Sequence, residues 1–283
     1  MDEWSQAYRE RLACFQDAQL LKKGGQKAVY TATCPEYGKV VVKMGKCDSQ
    51  QTLERIRREV ELLRELDSEF YPKNHEFLGL RTGEFLSIEE FVEGKPLSDC
   101  LSVFNTARSA VELIRNLSVG LNLLWQREEP VVHRDIKPDN VIIRTGNRPT
   151  IIDLGIARCL GMSSLTDTLA WQGPCTPAYA APEQLTNRKL NIDWRTDQFA
   201  LGILLVQLLL GGKHPFDPAL VGTGSCIPEN ILAGKWWKTS LSSPGMAHFL
   251  EVCSVMLGKE PHMRYRSPGV LIEELNVLLG EAR

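Results

Sequence analysis

A polar loop and a short hairpin in the middle of the chain carry the residue types best suited to chemistry. The stretch "VVHRDIKPDNVIIRTGNRPTIIDLG" runs from Val131 to Gly155. Its apolar runs "VII" and "TII" flank the turn "TGNRP", a pattern that predicts a β-hairpin. Because a hairpin brings its ends together, Asn140 on entry and Asp153 on exit should lie close to each other. An amide oxygen and a carboxylate that converge in this way suit a hard cation such as Mg²⁺, which takes oxygen ligands.

Two further polar residues precede the hairpin. Asp135 and Lys137 lie in the loop immediately before it, close enough to act on whatever the metal ion holds. A carboxylate beside a lysine can position a hydroxyl and stabilise transferred charge. The alternative, a solvated polar turn, leaves unexplained why so many charged residues follow the two valines. The pattern therefore favours a site for a hydroxyl and a metal-bound phosphate.

The elements that must position these residues predict an α+β fold with two lobes. "AVYTATC" and "KVVVKM" read as a hairpin, "HEFLGLR" and "EFLSIEEFVEG" as two more strands, and "QTLERIRREVELLRELD" as an amphipathic helix. From Gly94 the composition changes to long helical patterns such as "ARSAVELIRNLSVGLNLLWQ". Residues 1–93 are therefore expected to form a small β-rich lobe with one main helix, and residues 94–283 a larger, mostly helical lobe.

Composition excludes several classes of protein. A net charge of -2 over 283 residues argues against general nucleic-acid binding. The eight cysteines are scattered without a C-x-x-C pair, which argues against a zinc site and a secreted disulfide scaffold. The N-terminus has no signal-peptide core, and the longest apolar run, "FALGILLVQLLLGG", is too short to span a bilayer. We expect a cytoplasmic protein with neither a nucleic-acid nor a membrane partner.

Several motifs occur in the order that a known family shows. "HRDIKPDN" resembles the catalytic loop of eukaryotic-type (Hanks-type) serine/threonine protein kinases, and "DLG" resembles their metal-binding motif with leucine in the middle. "VVVK" resembles the strand with the phosphate-contacting lysine, and "APE" the end of the activation segment. "TDQFALG" resembles the segment whose aspartate, here Asp197, braces the catalytic loop. Arg264 stands where the family pairs an arginine with the glutamate of A-P-E, here Glu183. The compact spacing is similar to that of bacterial members.

The resemblance implies roles for the residues of the loop and the hairpin. Asp135 would accept or orient the proton of the substrate hydroxyl, and Lys137 would steady the γ-phosphate of ATP. Thr176 would hydrogen-bond close to both. Asn140 and Asp153 would bind Mg²⁺, with Mn²⁺ as an alternative ion.

The resemblance also implies how the phosphates of ATP are held. Lys43 would contact them, and a glutamate of the amphipathic helix would pair with this lysine. Glu59 and Glu61 both compete for that part. Glu59 lies on the inward stripe of the helix, whereas Glu61 points away from it, so Glu59 is the predicted partner.

For the adenine ring, the resemblance implies a hinge segment and a set of apolar contacts. Backbone groups of Glu89 and Phe91 would bind the ring. Val29, Val41 and Ile142 would pack against its two faces.

The stretch "KKGGQKAVY" resembles the glycine-rich loop of the family but departs from it. Gly24 takes the place of the middle glycine, while Lys22 and Lys27 occupy the first and third positions. Gly25 restores some backbone freedom. Because the phosphate lysine, the catalytic aspartate and the metal aspartate are all present, the resemblance implies an active enzyme.

The substrate follows from the loop and from the segment after "DLG". A lysine two residues after the catalytic aspartate is the serine/threonine pattern, and "CTPAYAAPE" resembles a full activation segment with Cys175 in place of a glycine. A protein with a Ser or Thr acceptor is the expected partner. A catalytically weak ATP-binding scaffold and a small-molecule phosphotransferase remain the alternatives.

Regulation is a separate expectation. Arg134 and Arg158 could together receive a phosphate on the activation segment. The candidate acceptors are hydroxyl residues of that segment: Ser163, Ser164, Thr166 and Thr168. The pair Trp236 and Trp237 either forms a docking face or is half buried.

Overall fold

The computed structural model describes residues 6–23, 27–47, 50–80, 83–154, 158–159, 176–238, 241 and 244–281. The chain forms two compact units, Met1–Glu93 and Gly94–Arg283. The first unit is rich in strands and contains one long helix, whereas the second is mostly helical. The predicted α+β class, with a small β-rich part and a larger helical part, is confirmed.

The first unit is built on a five-stranded antiparallel sheet with the strand order β1-β2-β3-β5-β4. Its strands are β1 (Gln16–Lys23), β2 (Lys27–Cys34), β3 (Gly38–Lys46), β4 (Asn74–Gly79) and β5 (Glu84–Glu90). The predicted hairpin of β2 and β3 and the two later strands are confirmed. Strand β1 was not predicted, because all eight of its residues are exposed and its sequence shows no alternation of apolar and polar residues.

The two faces of this sheet have different roles. Along β3 the side chains alternate, so that Val40 and Val42 are buried while Val41 and Lys43 lie on the other face and are half-buried. The buried valines pack with residues of β5 in a hydrophobic cluster. Helix α1 (Gln6–Leu12) belongs to the same unit, and its last residue packs against that cluster. The alternation thus places Lys43 on the face away from this cluster.

The amphipathic helix of the first unit is α2 (Gln50–Leu66), as predicted. Leu53, Val60 and Leu63 are buried at the three- and four-residue spacing that the sequence shows. Leu53 packs with Phe85 of β5. The stripe of apolar residues therefore attaches α2 to the sheet.

The second unit has a core of long helices. The helices are α3 (Ala107–Trp125), α4 (Pro182–Leu185), α5 (Trp194–Leu209), α6 (Pro218–Val221), α7 (Ile227–Ala233), α8 (Ala247–Met256) and α9 (Pro268–Glu281). Helix α3 packs on both α5 and α9. Helix α5 is buried on all sides over most of its length, which explains its long apolar run. Within the described residues, no helix is long and apolar enough to cross a membrane.

Short strands in the second unit surround the predicted catalytic loop. They are β6 (Lys95–Pro96), β7 (Val131–Val132), β8 (Val141–Arg144), β9 (Arg148–Ile151) and β10 (Arg158–Cys159). Strands β6, β8 and β9 form one antiparallel sheet, and β7 pairs with β10. Gly146 and Asn147, in the three-residue β8–β9 turn, have positive φ angles of 78° and 58°, a conformation that glycine and asparagine adopt most readily. The predicted hairpin is confirmed.

Candidate active site

The β8–β9 hairpin brings its entry and exit together. Val141 pairs with Ile151, and the backbone N–H of Ile152 donates to the carbonyl oxygen of Asn140 at 2.9 Å. Asp153 follows directly, with a positive φ of 64° and a half-buried side chain. The expected closeness of the two hairpin ends is therefore confirmed for the backbone.

Asp135 is the centre of a dense hydrogen-bond cluster. Its Oδ1 accepts from the backbone N–H and the hydroxyl of Thr176, both at 3.1 Å. Its Oδ2 accepts from Lys137 Nζ at 2.7 Å and from Asn140 Nδ2 at 2.9 Å. Lys137 also donates to the hydroxyl of Thr176. The structure thus brings Asp135, Lys137, Asn140 and Thr176 together, as expected from the sequence.

The side-chain amide of Asn140 is bound to Asp135. Its amide nitrogen donates to both the carbonyl oxygen and the carboxylate of Asp135, at 2.8 and 2.9 Å. The amide oxygen is then the atom that can face a cation. Together with Asp153 this gives two oxygen-donor side chains, which fits Mg²⁺ because that ion keeps water and phosphate among its ligands. Among the described residues, no group of three or more His, Cys, Asp or Glu side chains could hold a metal ion.

Asp197 braces the loop in front of Asp135, as the motif order predicted. The carboxylate accepts from the backbone N–H groups of His133 at 2.9 Å and Arg134 at 2.7 Å. It also accepts from Trp125 Nε1 at 2.9 Å. Burial raises the pKa of Asp197, and these three donors act in the opposite direction by favouring the carboxylate. The contacts hold Arg134 at its positive φ of 70°.

His133 is a packed residue of this loop. Its side chain is fully buried, and burial lowers its pKa, which favours the neutral imidazole. Its Nδ1 accepts from the backbone N–H of Asp135 at 3.3 Å. The imidazole therefore supports the loop conformation.

The A-P-E motif is anchored by a fully buried ion pair. Arg264 Nη1 and Nη2 donate to the two carboxylate oxygens of Glu183 at 2.8 and 2.9 Å, and both side chains have 0% exposure. The remaining guanidinium donors bond to the carbonyl oxygens of Gly258, Arg195 and Lys259. All five N–H groups of the arginine are satisfied. The predicted pairing of Arg264 with Glu183 is confirmed.

The segment that follows Thr176 is held by a histidine that the sequence reading did not single out. His214 Nε2 lies 2.9 Å from the carbonyl oxygen of Ala178, and the backbone N–H of Phe216 donates to His214 Nδ1 at 3.2 Å. Since a carbonyl only accepts, Nε2 must carry the proton and Nδ1 must be unprotonated. Burial lowers the pKa of His214 to about 4. A histidine in "GGKHPF" gives no sequence signal for this contact.

The lowered pKa of His214 predicts that the folded protein loses stability in acid. The pKa of His214 is lowered in the folded protein from its ordinary value of 6.5 to about 4, so the unfolded state binds more protons between these values. Stability is therefore lost as the pH falls through this range. Between pH 7 and pH 4 the free energy of unfolding of the wild type should fall by about 3 kcal/mol more than that of His214→Gln. Urea unfolding at several pH values measures this, and equal pH dependences would contradict it.

In the first unit, Lys43 has a partner that the sequence did not reveal. Its Nζ lies 2.7 Å from Glu89 Oε2, with side-chain exposures of 14% and 7%. The predicted partner, Glu59, lies within α2, but its side chain is outside the described part of the structure. Gly24 and Gly25 also lie outside the described residues.

The residues predicted to contact adenine occupy strands and a strand end. Val29, Val41 and Ile142 are all half-buried, and Val41 and Ile142 each lie between two buried residues of their strand. Glu89 lies inside β5, opposite Val41 of β3. Phe91 directly follows β5, and the Lys39 ammonium lies 3.8 Å from the centre of its ring. Their roles in binding adenine stay predictions.

The regulatory and docking predictions are only partly covered by the described residues. Residues 160–175, which include every candidate acceptor hydroxyl and Cys175, lie outside them. The backbone of Arg158 pairs with Val132 in β7, two residues before Arg134. Trp236 is buried and Trp237 half-buried, so this pair does not form an exposed docking face.

Comparison with known proteins identifies the family. The model of the protein kinase domain matches residues 15–271. The chain therefore belongs to the protein kinase family.

Three of the curated relatives, all from bacteria, show the extent of the match. The chain is 30% identical over 265 residues to serine/threonine-protein kinase PknJ of Mycobacterium tuberculosis, covering 88% of this chain and 43% of that protein. It is 28% identical over 267 residues to "Probable serine/threonine-protein kinase PknB" of Bifidobacterium longum, covering 89% and 37%. It is 33% identical over 198 residues to serine/threonine-protein kinase Pkn1 of Myxococcus xanthus, covering 69% and 27%. The chain thus spans less than half the length of these relatives.

Proposed function

We propose that this chain transfers the γ-phosphate of ATP to Ser and Thr hydroxyls of proteins. The observation that carries the proposal is the cluster of Asp135, Lys137, Asn140 and Thr176 in a chain of the protein kinase family. The names of the curated relatives, all serine/threonine-protein kinases, support the same acceptor class.

Asp135 is the group that acts on the acceptor hydroxyl. Its two carboxylate oxygens are fixed by donors from three different residues, so the carboxylate is already oriented before a substrate arrives. It accepts or orients the proton of the attacking hydroxyl. Lys137 lies beside it and offers a positive charge to the phosphoryl group in transfer.

Thr176 links this chemistry to the substrate segment. Its backbone N–H and its hydroxyl both bond to Asp135, and its hydroxyl also accepts from Lys137. The segment after residue 175 is thereby attached to the two residues that act on the acceptor. This attachment favours a protein acceptor, because a segment anchored here can present a backbone to a substrate peptide.

Metal and nucleotide binding follow from the remaining residues. Asn140 and Asp153 would hold Mg²⁺, or Mn²⁺ in its place, and the ion would neutralise phosphate charge. Lys43 contacts the phosphates of ATP, with Glu59 as its helix partner. The backbone of Glu89 and Phe91 binds adenine, and Val29, Val41 and Ile142 pack against it. Gly24 and Gly25 supply backbone N–H groups close to the phosphates.

The setting proposed for this activity is the cytoplasm, without a nucleic-acid partner. The net charge of -2 provides no basic excess for nucleic acid. Among the described side chains, the cysteines form no disulfide, which fits a reducing compartment. Autophosphorylation on a hydroxyl between residues 160 and 175 is part of the proposal, with Thr168 as the first candidate.

The experiment that tests the proposal is intact-mass spectrometry after incubation of the purified chain with Mg·ATP. The wild type should gain mass in steps of about 80 Da, the mass of a phosphoryl group, and should label a generic protein substrate. Asp153→Ala should do neither, because it lacks a predicted metal ligand. A wild type that leaves itself, protein substrates and peptides unlabelled would contradict the proposal. Transfer to small-molecule acceptors alone would identify a small-molecule phosphotransferase instead.

A further inference from the structure

A carboxylate of the five-stranded sheet contacts Lys43, the lysine that is proposed to bind the phosphates of ATP. Glu89 Oε2 lies 2.7 Å from Lys43 Nζ, and both side chains are largely buried. In the sheet Lys43 pairs with Ser87, so Glu89 lies diagonally across on the same face of the neighbouring strand. The register of β3 and β5 therefore fixes this pair, independently of any helix.

A chain of hydrogen bonds supports the other side of this carboxylate. Ser87 Oγ donates to Glu89 Oε1 at 3.2 Å, and Asn74 Nδ2 donates to Ser87 Oγ at 2.7 Å. Arg64 Nε, at the end of α2, donates to Asn74 Oδ1 at 3.1 Å. Both oxygens of Glu89 thus have partners within the first unit, and the chain ends at a second cation.

Such an arrangement has a stability cost, which makes a purely structural role a poor explanation. Glutamate is disfavoured in strands, and a buried ion pair gains little over an apolar pair of similar volume. Glu89 is only 5% exposed, and the preceding residue of the strand, Ile88, is buried on the opposite face of the sheet. Unlike an apolar residue, a carboxylate at this position supplies a fixed negative charge beside Lys43.

We propose that Glu89 is a positioning residue for Lys43, acting through a strand-borne carboxylate in addition to the helix partner predicted from the sequence. This inference rests on the proposed function, because it takes Lys43 as the residue that contacts the phosphates. An ammonium group has three N–H donors, so a bond to Glu89 leaves donors for a phosphate and for a helix carboxylate. Glu89 holds the ammonium group at one place on the sheet, whatever the position of α2.

The first test compares Mg·ATP affinity in matched variants of the full chain. Glu89→Gln keeps the shape of the side chain and an acceptor for Ser87, but removes the charge that holds Lys43. By titration calorimetry, its Kd for Mg·ATP should rise about tenfold, and the KM for ATP should rise by a similar factor while the KM for the protein substrate stays unchanged. The control is Glu76→Gln, which removes a carboxylate of β4 that pairs with Arg11 at 2.6 Å. Its Kd should equal that of the wild type.

The second test asks whether Glu89 acts through Lys43. In a Lys43→Met background, Glu89→Gln should produce no further rise in the Kd for Mg·ATP, because the residue it positions is gone. A tenfold rise in both backgrounds, or a wild-type Kd for Glu89→Gln alone, would overturn the proposal. Ser87→Ala, which removes one donor to Glu89 and leaves the ion pair, should raise the Kd about threefold only when Lys43 is present. It provides the same test if Glu89→Gln does not fold.

The two proposals fail in different ways. A wild type that binds Mg·ATP but transfers no phosphate overturns the proposed function, whereas the dependence of binding on Glu89 and Lys43 is still measured. A wild type that does not bind Mg·ATP overturns both. Normal transfer by the wild type with an unchanged Kd in Glu89→Gln overturns only the role of Glu89.

Discussion

Asp135→Asn is expected to slow phosphoryl transfer by about 10²–10⁴-fold, the usual contribution of a positioned proton acceptor. Asparagine has the same shape but replaces one acceptor oxygen with a donor. The carboxylate of Asp135 accepts from Lys137 and Asn140 on one oxygen and from Thr176 on the other. Whichever oxygen is replaced, the new NH₂ group faces the donors of Lys137 and Asn140 or those of Thr176. The amide oxygen that remains is a much weaker proton acceptor than a carboxylate. Chemistry should therefore be lost while Mg·ATP binding is kept.

The matched control is Asp139→Asn, the same substitution four residues later at an exposed position. It should leave the transfer rate within about twofold of the wild type, since surface substitutions have small effects. Initial rates with a generic protein substrate, together with the Kd for Mg·ATP, provide the comparison. A transfer rate for Asp135→Asn that matches the control would remove Asp135 from the mechanism. A loss of nucleotide binding would instead assign it to binding.

The parts of the fold that could be predicted are those with a local signal. The spacing of Leu53, Val60 and Leu63 predicted α2, and these residues are buried in it. The β8–β9 hairpin was predicted from two apolar runs around a turn with Gly146 and Asn147, which adopt the positive φ angles of that turn. Strand β1 gave no such signal, because every residue in it is exposed. Its identity as a strand depends on pairing with β2, which is not a local property.

The candidate site divides in the same way. Asp135, Lys137 and Asn140 are close in the sequence, so their spacing alone indicated a shared role. The contact between Lys43 and Glu89 joins residues 46 positions apart on two strands. It depends on the pairing register of β3 and β5, which no local sequence pattern indicates. The contact between His214 and Ala178 likewise joins the loop between α5 and α6 to a segment 36 positions earlier in the chain. For Lys43, the sequence indicated only Glu59 as a partner, because helix periodicity selects among residues of α2 and carries no information about neighbouring strands.

The ion pair behind the A-P-E motif is expected to dominate the stability of the second unit. In Arg264→Ala the carboxylate of Glu183 stays fully buried without its cation, and three backbone carbonyl groups lose a donor. Removal of one partner from a buried pair costs about 3–5 kcal/mol. The free energy of unfolding should fall by that amount. Arg264→Lys should recover only part of it, since an ammonium group cannot reproduce the five-donor fork.

The same unit offers an exposed pair as the control. Arg188 Nη1 bonds to Glu260 Oε2 at 2.8 Å, but its side chain is 38% exposed and that of its partner 28%. Arg188→Ala should therefore cost about 0–1 kcal/mol. Urea unfolding followed by tryptophan fluorescence measures the stability of both variants. The ring centres of Trp125 and Trp194 lie 5.4 Å apart within this unit, so their fluorescence reports on its folding. If Arg264→Ala costs no more than Arg188→Ala, the buried pair does not anchor the motif.

If the larger cost is found, replacing Arg264 and Glu183 together with apolar residues should restore part of the stability, because no buried charge is then left unpaired.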